Sequence, residues 1–148
     1  MGSIVCATRG GEGSRAVQMA AIQRAKEEER PLIFLYVADP KSLEDHLDER
    51  LKAALRAELL FMGETLLRIA QHRADASFLP SEVIIRGGSV QDEIVRFVSE
   101  NDVALLMMGA PRGTTANVFG DDAIERLAAT LEEETRVRVQ IIRPDDQP

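Results

Sequence analysis

The sequence predicts an α/β domain built on a parallel sheet of five strands with helices on both faces. Short apolar runs alternate with helical stretches from one end of the 148 residues to the other, the order that buries a sheet between two helical layers. The run at 103–110 (VALLMMGA) is apolar without alternation, as a strand covered on both sides requires. Glycines follow the first, third and fourth runs, where a strand has to turn into a helix.

The elements follow in order. SIVCAT at 3–8 is a short β-branched strand ended by Gly10 and Gly11. A helix is expected from about Ser14, taken as its N-cap, with Val17, Ala20, Ala21 and Ala25 on one face until Pro31 stops it. LIFLYV at 32–37 is the second strand, closed by Asp39-Pro40. From Ser42 to about Ala74, Leu43, Leu47, Leu51, Leu55, Leu59, Met62, Leu66 and Ile69 recur three or four apart, the spacing of one helical stripe. The stripe is expected to pack on the sheet, a coiled-coil seam being the alternative, and Gly63 within it marks a close contact or a kink.

EVIIR at 82–86 is the third strand, and Ser89-Val90-Gln91-Asp92 a near capping box for a helix that buries Ile94, Phe97 and Val98. After the fourth strand comes GAPRGTTANVFGDD at 109–122, then a capping box beginning at Asp122 and a helix lined by Ile124, Leu127, Ala128 and Leu131. RVRVQII at 136–142 alternates basic or polar residues with Val137, Val139 and Ile141, the pattern of an edge strand. Five such strands take the order 2-1-3-4-5 or 3-2-1-4-5. In either, a ligand belongs at the carboxyl ends of the strands where the order reverses.

Composition narrows the function. A net charge of −7 and a pI near 4.9 argue against nucleic acid or an anionic membrane as partner. No stretch approaches the ~20 apolar residues of a membrane span, and one cysteine, Cys6 in an apolar run, builds no disulfide framework; the expected location is cytoplasmic. His46 and His72 have no zinc spacing around them, and neither G-x-S-x-G nor a Walker A sequence is present. Gly11-Glu12-Gly13-Ser14-Arg15-Ala16 matches G-x-G-x-x-[GA], with Asp39 as the ribose acid, but the chain has no room for the substrate domain of a dehydrogenase.

SIVCATRGGEGSRAV at the start, LYVADP after the second strand, IIRGGSVQDEIVRFVSENDVALLMMGAPRG in the middle and RVQIIRP at the end make the chain resemble the universal stress protein family over essentially its whole length. The resemblance implies a 3-2-1-4-5 sheet, homodimers that often join through the last strand and, in one branch, ATP or AMP held by the loops after strands one and four. That branch carries Gly, two residues, Gly, nine residues, Gly and then Ser or Thr, with an Asp just after the first strand. In this sequence Gly109 matches the first glycine, but Arg112 stands at the second, with Gly113 one place late. Gly120 matches the third only if the loop is two residues shorter, Asp121 replaces the hydroxyl residue, and Arg9 replaces the strand-one acid.

A carboxylate about 4 Å from a phosphate oxygen repels it by roughly 1 kcal/mol in water and by about 4 kcal/mol at an effective dielectric of about 20. The phosphate loop therefore reads as degenerate. Arg9 is expected to pair with Asp121 or Asp122 across the crevice, the alternative being that Asp122 only caps the fourth helix. The expected site comprises Thr8, Arg9, Gly10, Val37, Met108, Gly109, Arg112, Gly113, Gly120, Asp121 and Asp122, and the expected dimer interface Val137, Val139 and Ile141. The expected function is non-catalytic binding of ATP, AMP or a small anion by a homodimer that also meets a protein partner. A ligand-free dimerisation scaffold and a slow ATPase are the alternatives.

Overall fold

Within residues 2–8, 14–39, 48–110 and 123–144, the part of the chain that the computed structural model describes, strands and helices alternate strictly. The strands are β1 (Ser3–Ala7), β2 (Leu32–Ala38), β3 (Ser81–Gly87), β4 (Val103–Gly109) and β5 (Arg138–Ile142). The helices are α1 (Ser14–Glu28), α2 (Glu49–Ala76), α3 (Val90–Glu100) and α4 (Ala123–Thr135). All neighbouring strands are parallel, in the order β3-β2-β1-β4-β5. The 2-1-3-4-5 order is therefore not the one adopted.

The period-2 alternation of the strands divides the interior into two cores. Ile4, Cys6, Phe34, Tyr36 and Met107 face α1 and α2. Val5, Ala7, Leu35, Leu106 and Met108 face α3 and α4, where they meet Ile94, Phe97 and Leu131. Each central strand is thus apolar on both faces, which is why VALLMMGA shows no alternation.

Helix α2 departs from the expectation in two ways. It begins at Glu49, not Ser42: the Asp48 carboxylate accepts the Leu51 N–H at 2.9 Å and satisfies a donor that the first turn leaves open. Its buried residues are Gly63, Leu67, Ala70 and Ala74, not the large apolar stripe seen in the sequence. Leu59 and Leu66 border the core, whereas Leu51, Met62 and Ile69 are exposed. A Cβ placed on Gly63 would lie 2.6 Å from Tyr36 Cε1 and 2.9 Å from Ile85 Cδ1, so the absence of a side chain sets how closely the helix approaches the sheet.

Ser14 is the first helical residue of α1, with its hydroxyl directed at Thr8 and Gln18. Ser89 caps α3 as expected. Strand β5 is two residues shorter than RVRVQII at its start. Arg136, with a φ of 61°, still closes α4 by donating its N–H to Glu132 O at 2.8 Å.

Candidate functional site

Strands β1 and β4 lie side by side, with Cys6 opposite Met107 and Ala7 opposite Met108. Both run the same way, so the chain leaves them on one edge, at Thr8 and at Gly109. The order reverses between them: β1 leads to β2 on one side and β4 to β5 on the other. In an open parallel sheet such a point, at the carboxyl ends of the strands, is where a ligand is expected to bind.

Of the expected site residues, Thr8, Val37, Met108 and Gly109 are described, and all four stand at the carboxyl ends of β1, β2 and β4. Their side chains do unequal things. Thr8 is 1% exposed, extends the ladder by donating its N–H to Leu35 O at 2.9 Å, and turns its hydroxyl toward α1. Met108 is spent on the core. Val37 is half-buried at the end of β2, and Gly109 pairs with Ile142. Arg9, Gly10, Arg112, Gly113, Gly120, Asp121 and Asp122 lie outside the described residues, and with them the Arg9–aspartate pair and the Asp122 cap; His46 does too.

Next to this edge is a polar cluster that sequence reasoning missed. Gln18 is fully buried, yet its amide is satisfied on every side described. The Nε2 group donates to Thr8 Oγ1 at 3.0 Å and to Ser14 Oγ at 3.1 Å, and Oε1 accepts from the Arg73 guanidinium of α2. A guanidinium only donates, so it fixes which way the amide points and turns the NH2 group to the two hydroxyls. The two hydroxyls are themselves 3.1 Å apart. The cluster ties the end of β1, the first turn of α1 and the last turn of α2 into one unit. A Gln among Val17, Ala20 and Ala21 was the available signal.

A second cluster closes the ends of β2 and β3. Asp39, the residue considered as a ribose acid, accepts the Val90 N–H at 3.2 Å and so helps to start α3. Glu93 is 7% exposed, bonded by Arg96 at 2.9 Å and approached by Arg86 at 4.0 Å. Arg86 also lies 3.6 Å from Glu100 and 5.4 Å above the Phe97 ring. Gly88, at a φ of 141°, leaves room for the Glu93 side chain, which a Cβ there would meet at 3.1 Å. These charges are used up in joining β3 to α3.

At the other edge of the sheet, Val137, Val139 and Ile141 are half-buried and pack against the α3–α4 core. What β5 presents outward is therefore its backbone. Burial pushes the Cys6 thiol far above the usual thiol range, which leaves it protonated and inert. His72 is exposed on α2, and among the described residues no three His, Cys, Asp or Glu side chains gather as metal ligands. No described helix is long and apolar enough to cross a membrane.

The model of the universal stress protein family matches residues 1–139 of this chain. Among solved structures, the universal stress protein UspA from Lactobacillus plantarum is 15% identical, with 97% of this chain and 99% of that one covered and a TM-score of 0.74. The universal stress protein from Archaeoglobus fulgidus in complex with dAMP is 18% identical, covering 96% and 98% at a TM-score of 0.64. A family protein from Arabidopsis thaliana with AMP bound is 14% identical, covering 99% and 95% at a TM-score of 0.60. Among the curated proteins none matches.

Proposed function

Because this chain belongs to the universal stress protein family, we propose that it is a cytoplasmic, non-catalytic binding protein that holds an adenine nucleotide at the carboxyl ends of β1 and β4 and self-associates through β5. The observation that supports the nucleotide reading is the adjacency of β1 and β4, whose carboxyl ends lie side by side where the strand order reverses. The dAMP of the Archaeoglobus relative and the AMP of the Arabidopsis relative support the ligand class.

A monophosphate suits this chain better than a triphosphate. Asp121 and Asp122 stand in the sequence where an extended phosphate tail needs a hydroxyl and uncommitted amides. Repulsion of roughly 1 to 4 kcal/mol, joined by about 1 kcal/mol for the missing hydroxyl bond, falls on the outer phosphates. The β- and γ-phosphates meet that charge; the nucleoside does not.

Thermal melting of the purified chain with AMP, with ATP and with inorganic phosphate tests this reading. A ligand at about a hundred times its Kd stabilises the folded state by about 2.7 kcal/mol. AMP is expected to raise the melting temperature more than equimolar ATP does, and phosphate alone to do least. A melt that no adenine nucleotide moves would overturn the nucleotide reading in favour of a ligand-free scaffold. That second reading is favoured by one observation, the commitment of the Thr8 and Met108 side chains to the interior.

A further inference from the structure

The open edge of β5 is already occupied, in part, by the protein itself. Ile142 O accepts the Ala110 N–H at 3.0 Å, so Ile142 turns its peptide groups toward β4. Strand alternation then puts Gln140 and Arg138 in the same ladder and leaves the N–H and C=O groups of Val139 and Ile141 facing outward. The outward N–H of Val139 is not left to solvent. It donates to Glu132 Oε1 at 2.9 Å, a carboxylate that reaches round the sheet edge from the last turn of α4. Just before the strand, the Val137 N–H donates to Thr135 Oγ1 at 3.2 Å. Among the described residues no side chain caps Ile141 in this way.

A carboxylate on an edge N–H protects the strand from indiscriminate pairing, in the same sense as a charge or a bulge on an edge. It also competes with any strand that pairs there specifically. The strand has two outward residues with Gln140 midway, so a twofold, antiparallel match that uses both is centred on Gln140. Val139 then exchanges two backbone bonds with Ile141 of a second copy, and Ile141 does the same with Val139, giving four in all. Arg138 falls opposite Ile142, so like charges do not meet across the axis. Two of those four bonds need a Val139 N–H that Glu132 holds.

We infer that Glu132 is a gate on self-association: its carboxylate must release Val139 before a second copy of the chain can add to β5. The inference rests on the β5 self-association proposed above and names what regulates it. Removing the competitor from both protomers leaves the four intermolecular bonds intact and deletes two intramolecular ones. At a few-fold per hydrogen bond, the dimer is expected to tighten about ten- to a hundredfold.

Sedimentation equilibrium of the full chain over a wide concentration range tests the gate in four proteins: wild type, Glu132→Ala, Glu132→Gln and Ile141→Pro. Circular dichroism melting of each reports folding independently. The gate requires Glu132→Ala to dimerise more tightly than wild type, and Glu132→Gln, which keeps an acceptor oxygen, to fall between them. Proline at 141 removes an outward N–H without touching the β4 ladder, so it is expected to dissociate the dimer and remain folded. A wild-type dimer that Ile141→Pro dissociates while Glu132→Ala leaves it unchanged or weaker would overturn the gate and leave β5 self-association standing. A dimer indifferent to Ile141→Pro, or folded proteins that stay monomeric throughout, would overturn both.

Discussion

Tyr36 and Gly63 meet where the first core is tightest. The ring is 6% exposed and lies against the backbone of α2, a contact possible only because residue 63 has no Cβ. Burial raises the Tyr36 phenol above its ordinary value of 10.0, because the charged phenolate loses hydration that the protein does not replace. The sign follows from linkage. The unfolded chain ionises first, so the stabilisation due to a neutral Tyr36 is complete below about pH 10 and is lost as pH rises through the folded value. Tyr36 is the single tyrosine and there is no tryptophan, so the absorbance of the phenolate reports it without interference. Titration of the native protein is expected to show the phenolate appearing at higher pH than in the urea-unfolded chain; coincident curves would show that the ring is hydrated. The sequence marked Gly63 as a close contact or a kink, and nothing local chose between them or named its partner, since residues 63 and 36 are linked only through packing.

Helix α2 meets the sheet through a face other than the one its apolar period marks out. Its large apolar residues define the periodicity of the sequence, yet the face that meets the sheet is made of Gly63, Leu67, Ala70 and Ala74. Small residues bring the helix axis close, and the larger ones flank the contact. Leu67→Ala is therefore expected to cost about 2–4 kcal/mol, as for a buried leucine whose space does not collapse, and Ile69→Ala less than about 1 kcal/mol. Urea unfolding of both variants measures the difference, and equal losses would mean that the flanking stripe is covered. The ends of the helices show the same division. The Ser89 cap is read directly from the sequence, whereas Glu29, Phe78 and Arg136 end α1, α2 and α4 at φ values of 53°, 59° and 61° with no glycine to announce it. The bonds that close α1 and α2, from Arg30 N–H to Ala25 O and from Leu79 N–H to Ala74 O, both 3.0 Å, offset the cost of that conformation.

The 3-2-1-4-5 order makes β1 the centre of the sheet, with β2 and β4 beside it and a helical layer on each face. Hydrogen exchange followed by mass spectrometry is expected to find the amides of Val5, Cys6, Leu106 and Met107 among the slowest. The first half of α2 has no buried residue before Gly63 and is expected to exchange far sooner. Equal protection of the two regions would require that half of α2 to be covered. Hydrophobic period and turn residues are local properties of the chain, and they sufficed to read the alternation of elements, the parallel sheet and the apolar character of its central strands. Thr8, Val37, Met108 and Gly109 were likewise legible as strand-end residues. Nothing local announces that Gln18 binds Thr8, Ser14 and Arg73 at once, that Gly63, Ala70 and Ala74 bring α2 close to the sheet, or that Glu132 caps the edge of β5. Each of these joins groups brought together by packing. A hydrogen bond between distant residues leaves no periodicity in either segment; it exists only once the sheet has set their distance.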